Sequence, residues 1–134
     1  MLNSTPVISK WLPIVTVSEA NCAENWRIKS KRHKEQRRAL RLLMPKAGYP
    51  LPCRIVCVRC GGRVLDSDNL DFCFKWIRDE LSDIILGNRY AVRKPSDLTV
   101  KRLYGRNDDD ARLEWQYSQE EALNKGIRID VFSR

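Results

Sequence analysis

Asp66 and Asp68 stand two residues apart in Leu65-Asp66-Ser67-Asp68-Asn69-Leu70, and Asp110 ends the run Asn107-Asp108-Asp109-Asp110. Carboxylates held within a few ångströms of one another repel, which drives at least one towards its protonated form unless a cation intervenes. Oxygen-only clusters of this kind suit hard ions such as Mg2+ or Mn2+. Each aspartate also has a plainer role open to it, as a helix cap or turn residue. Lys75 lies seven residues after Asp68, which returns it to nearly the same helix face about 10 Å along the axis. Its side chain can lean back towards the acids, or it can pair on the surface with Asp71 or Asp79, each four residues away.

The cysteines offer a second chemistry. Five of them, at 22, 53, 57, 60 and 73, form an odd set without a regular disulfide framework, so reduced thiols are expected. Cys57-Val58-Arg59-Cys60 has C-x-x-C spacing and, with Cys53, could hold zinc. No second pair follows, and His33 is the only histidine. The alternative for Cys53 and Cys57 is burial as small apolar residues in a strand.

The charge balance says what surrounds these groups. The chain has 25 Lys and Arg against 17 Asp and Glu, a formal charge of +8, which favours a polyanionic partner. Between positions 27 and 41 stand Arg27, Lys29, Lys31, Arg32, Lys34, Arg37, Arg38 and Arg41, with Glu35 the single acid. Such density weakens an isolated helix through repulsion unless an anion offsets it, and a phosphate backbone is the natural anion. A second basic stretch, Arg89, Arg93, Lys94, Lys101, Arg102 and Arg106, falls in a long connection over 87–107. No apolar run approaches the roughly 20 residues that span a bilayer, and the first ten residues lack the pattern of a secretion signal. The expectation is an intracellular, cytoplasmic protein that does not enter membranes.

The elements that must position these residues are marked by period and punctuation. A β-branched run over 11–17 predicts a strand. Positions 22–44 predict a helix stopped by Pro45 and Gly48, and 53–60, apolar on both faces, predicts a central strand. Leu70, Cys73, Phe74, Ile77, Leu81, Ile84 and Ile85 recur at helical spacing, with Asp68 or Asn69 as N-cap and Gly87 as stop. Leu113, Trp115 and Tyr117, then Ile127, Ile129 and Val131, alternate with polar residues, and the turn-prone Asn124-Lys125-Gly126 between them suggests an antiparallel hairpin. The order β-α-β-α-β-β over one domain, 1–134, predicts an α/β (α+β) fold: a mixed sheet of about four strands with two main helices.

Taken together, Val64-Leu65-Asp66-Ser67-Asp68-Asn69-Leu70, then Lys75-Trp76-Ile77-Arg78-Asp79, then Asp109-Asp110-Ala111-Arg112-Leu113 resembles the RusA family of Holliday junction resolvases, in a phage-type form. The family's D-x-D-N-L segment opens a helix and its later D-D pair precedes a strand. Val17-Ser18-Glu19-Ala20-Asn21 with Trp26-Arg27 is similar to its N-terminal strand end and entry to a basic helix, so the likeness spans roughly 12–132. The resemblance implies a crossover junction endodeoxyribonuclease, a hydrolase of DNA recombination and repair in a bacterial or phage-infected cell. It would act as a homodimer that places paired symmetric nicks in branched DNA. The resemblance assigns Mg2+, or Mn2+, to Asp66, Asp68 and Asp110. In the best-known pattern the catalytic lysine stands four residues after the second Asp, where this chain has Phe72; the form L-K-x-V-R-D gives the role to Lys75. The alternative function is a non-catalytic basic nucleic-acid-binding protein.

Overall fold

The structure, a computed structural model, describes residues 5–19, 23–87 and 109–134. The 87–107 connection with its basic residues, and Cys22, therefore lie almost entirely outside the described residues. Four strands and three helices follow in the order β1 (Ile8–Leu12), α1 (Trp26–Leu43), β2 (Cys53–Cys60), α2 (Ser67–Cys73), α3 (Lys75–Leu86), β3 (Leu113–Glu120) and β4 (Gly126–Ser133). They build the mixed α+β architecture expected from the sequence, with a sheet ordered β1-β4-β2-β3.

The apolar run of β2 explains its central place. Cys53, Ile55 and Cys57 are fully buried on the helix-facing side, and Val58 and Cys60 are buried on the other. It pairs with β3 in parallel and with β4 antiparallel. The expected hairpin is therefore not formed: β3 and β4 lie on opposite sides of β2, and the turn-prone segment carries the chain across it. Alternation with a two-residue period records which face a strand buries, not which neighbour it pairs with.

The first strand also differs from expectation. It ends at Leu12 because Pro13 has no N–H to give the ladder. Ile14 donates its backbone N–H to the Leu12 carbonyl at 2.8 Å, and residues beyond it continue without a strand partner. Ile14 and Thr16 are nonetheless buried and Val15 is exposed, so the alternation in the sequence is retained as packing.

On the helical side, α1 begins at Trp26 because Asn25 caps it, accepting from the backbone N–H groups of Arg27 and Ile28. The second predicted helix is present but broken: Asp66, not Asp68 or Asn69, is its cap, and Phe74 (φ −97°, ψ 4°) interrupts it between α2 and α3. Gly87 closes α3 in the left-handed region at φ 70°. The predicted stripe packs inward as one core with Leu12, Leu40, Ile55, Cys57, Leu113, Ile129 and Val131. Helices thus cover one face of the sheet, while the other carries polar links such as Ser9 to Asp130 at 2.6 Å and Arg128 to Glu120 at 2.8 Å.

The thiols follow this layering. Cys53, Cys57, Cys60 and Cys73 are free and buried. Cys57 and Cys60, three residues apart in an extended strand, point to opposite faces and cannot grip one ion, which removes the zinc reading of Cys53, Cys57 and Cys60. Burial pushes the Cys57 thiol well above its ordinary range and that of Cys73 up to about 11, so both stay protonated and inert.

Candidate metal and nucleic-acid site

The acidic turn is held in place by a side chain that imitates a strand. Gln119 on β3 accepts from the Leu65 N–H at 2.9 Å and donates to the Leu65 carbonyl at 2.6 Å. Asp66 follows directly, and its Oδ1 accepts from the Asn69 N–H at 3.0 Å while its own carbonyl begins the α2 hydrogen-bond series. Asp68, in the first turn, is exposed. It lines a recess of about 200 Å3 with Asp71, Phe72, Lys75, Arg78 and Tyr117.

Two cations face these two carboxylates across the break at Phe74. Lys75 opens α3, its Nζ 5.3 Å from the Trp76 ring centroid and 5.9 Å from that of Phe72. Trp76 in turn stacks on His33 of α1 at 3.5 Å between centroids, so this corner is braced by both helices. Arg78 donates to the Tyr117 hydroxyl at 2.9 Å, lies 5.1 Å from the Trp115 ring centroid, and brings Nη2 to 3.9 Å from Asp109. Burial raises the Tyr117 phenol well above its usual value, outweighing the opposing pull of Arg78. That hydroxyl therefore remains neutral.

Asp110 is placed elsewhere. Arg112 grips it with Nε to Oδ1 at 3.0 Å, Nη2 to Oδ2 at 2.9 Å and its backbone N–H to Oδ1 at 2.9 Å. This fork pulls the Asp110 carboxyl down to about 2. Because β3 runs parallel to β2, its beginning lies beside Cys53, at the start of β2. The Asp66 turn comes after the end of β2 and meets Gln119, six residues and about 20 Å of strand further along β3. Asp110 itself does not line the Asp68 recess, although its neighbour Asp109 approaches Arg78 on the recess wall. Among the described residues, no three His, Cys, Asp or Glu side chains are grouped to hold a metal. The donors that do meet, Asp68 and Asp71, are hard oxygen ligands of the kind Mg2+ accepts alongside retained waters and substrate phosphates.

The Asp110 fork has a pH signature. A carboxyl lowered on folding adds stability that is complete above its ordinary value near 3.8 and is lost as pH falls towards 2. Asp110→Asn is expected to melt below the parent at pH 6 and to converge with it only as pH falls to about 2. Thermal unfolding at both pH values checks this; a gap that stays constant with pH would remove the fork as its cause.

The basic helix sorts into two sets. Arg32 is engaged by Glu19 at 2.6 Å and Glu24 at 2.5 Å, which hold it firmly charged. Arg37 and Arg41 both reach the fully buried Glu80 of α3, at 3.0 and 3.2 Å. These three fasten α1 to the body. Arg27, Lys31, Lys34 and Arg38 remain exposed on the outer side, whereas Lys29 is half-buried on the opposite side of the helix. Sequence reasoning placed Asp71 only as a surface partner of Lys75 and gave Arg78, Tyr117, Glu19 and Glu80 no part in the site. Asp71 and Arg78 were within its reach, each one helical turn from Asp68 or Lys75, whereas Tyr117 and the two glutamates meet their partners only through tertiary packing.

No helix among the described residues is long and apolar enough to cross a membrane. No family model, curated protein or solved structure matches this chain.

Proposed function

We propose that this chain is a metal-dependent, structure-selective endodeoxyribonuclease that resolves four-way DNA junctions as a homodimer, as its resemblance to the RusA resolvases implies. One observation carries the reading: Asp68 and Lys75, seven residues apart and separated by a helix break, line a single recess together with Asp71 and Arg78. Oxygen donors and phosphate-seeking cations are thereby combined at one point on a basic chain. Mg2+ or Mn2+, when bound, would supply an activated water and neutralise charge on the scissile phosphate.

The chain's own residues do the rest. Asp68 and Asp71 would hold the ion. Lys75 would attract a phosphate and offset charge that builds on its oxygens as the bond breaks. Arg78, steadied by Tyr117, would keep a second positive group on the recess wall. The outer basic residues of α1 add sequence-independent affinity. Two-fold pairing of chains would set two such recesses symmetrically about a branch. Asp66 and Asp110, ligands by resemblance, would first have to leave the Asn69 cap and the Arg112 fork.

Those two engagements favour a second reading, a nucleic-acid-binding protein without catalysis. A divalent-ion titration separates the two. With a synthetic four-way junction beside a linear duplex of equal length, the nuclease is expected to place paired nicks in the junction alone, dependent on Mg2+ and stopped by EDTA. Tight junction binding with no scission in Mg2+ or Mn2+ would leave the binding protein standing.

A further inference from the structure

The outer side of α1 offers more than charge. Trp26, its first residue, is 72% exposed, and the Arg27 guanidinium lies 5.5 Å from its ring centroid. The other three tryptophans are more engaged: Trp76 stacks on His33, Trp115 lies under Arg78, and Trp11, although 47% exposed, packs one edge against Gly126 so closely that no Cβ would fit there. An indole left in water forgoes a large apolar burial, so its exposure points to a ligand with a flat apolar face.

Charge decides what kind of ligand. Trp26 opens a shallow groove of about 350 Å3 walled by Arg27, Lys31, Lys34 and Arg38, with Glu35 the only carboxylate among the described residues that line it. Steps of four, three and four residues place these cations on one helix stripe about 16 Å long. The carboxylates close to α1, Glu19, Glu24 and Glu80, are taken by Arg32, Arg37 and Arg41 on the inner side. A π-face at one end of a cationic track matches the chemistry of a nucleic-acid strand whose base is not covered by its neighbours.

We propose that this groove binds nucleic acid at an unpaired base, which stacks on Trp26 while the following phosphates run along Arg27, Lys31, Lys34 and Arg38. An intact duplex buries both faces of every base and offers Trp26 nothing; a branch point or single strand supplies what it lacks. The inference rests on the nucleic-acid part of the function proposed above and specifies which feature of the substrate α1 reads.

Full-length wild type, Trp26→Ala, Trp26→Phe and Arg38→Ala are titrated with three 2-aminopurine-labelled probes: a single strand, a four-way junction labelled at the branch, and a fully paired duplex. Wild type is expected to quench the label in the first two. Trp26→Ala should weaken those two about tenfold and leave duplex affinity unchanged, and Trp26→Phe should restore most of the loss. Arg38→Ala should weaken all three and flatten the salt dependence by about one unit of log–log slope. Unchanged single-strand binding by Trp26→Ala overturns the inference. So does an equal loss on all three probes accompanied by a change in sedimentation mass, which would make Trp26 a contact between copies of this chain. Strand scission is scored separately on the same samples. Failure of wild type to bind any probe removes the nucleic-acid reading itself, whereas binding and quenching without scission remove only the nuclease.

Discussion

Asp68→Asn is expected to bind a four-way junction as tightly as the parent and to cut it at least about 100-fold more slowly in Mg2+, the scale of loss when a charge-stabilising group is removed from a reacting centre. The substitution is nearly isosteric and removes only the charge. Asp68 is exposed in the first turn of α2 and is not the cap, so the helix loses no more than a favourable charge at its N-terminus, a few tenths of a kcal/mol. Folding should therefore survive, which unchanged thermal unfolding would verify. Scission at near-parental rate would take Asp68 out of the reaction and, with it, the recess as the catalytic centre.

Phe74→Ala is expected to have the largest effect on stability. Phe74 is fully buried where α2 gives way to α3, and its ring lies 5.7 Å from that of Tyr117 at an interplanar angle of 23°. Truncating a buried phenylalanine costs about 3–5 kcal/mol through lost transfer energy and the cavity left behind. For a chain of this length that corresponds to roughly 10–20 °C in melting temperature. Phe74→Leu, which refills most of the space, should recover more than half of the loss. Equal melting temperatures for Phe74→Ala and the parent would mean that the helix junction does not depend on this ring. The same residue joins the helix that carries Asp68 to the one that carries Lys75, and its ring packs on Tyr117 of the recess wall.

Local signals in the sequence located most of the elements. The segment 53–60, with apolar residues on both faces despite Arg54 and Arg59, gave both the limits of β2 and its central place, because a strand buried on two faces reads that way. The stripe from Leu70 to Ile85 located the second helical region and Gly87 its end, but not the interruption at Phe74, since a single non-helical residue leaves the spacing of the stripe intact. Pairing was not legible. The β2-β3 ladder closes only after two helices and the whole connection between them, and nothing in the alternation of 113–117 distinguishes β2 from β4 as neighbour. The same gap governs the site: Asp68 and Lys75 share a helical region and their meeting follows from helical arithmetic, whereas the place of Asp110 depended on the direction of β3. The basic residues of α1 could be counted but not sorted, because Glu80, which captures Arg37 and Arg41, stands about forty positions away in sequence.

That capture has a mechanical consequence. Glu80 lies on α3, the helix that begins with Lys75, and the His33–Trp76 stack joins the same two helices nearer the recess. With two fastenings, the outer groove of α1 cannot swing independently of the ammonium on α3. If nucleic acid binds as proposed, the lateral offset between a strand along Arg27 to Arg38 and a phosphate at Lys75 would be set by the scaffold, as on a jig, and only a polyanion whose geometry spans that offset would engage both at once.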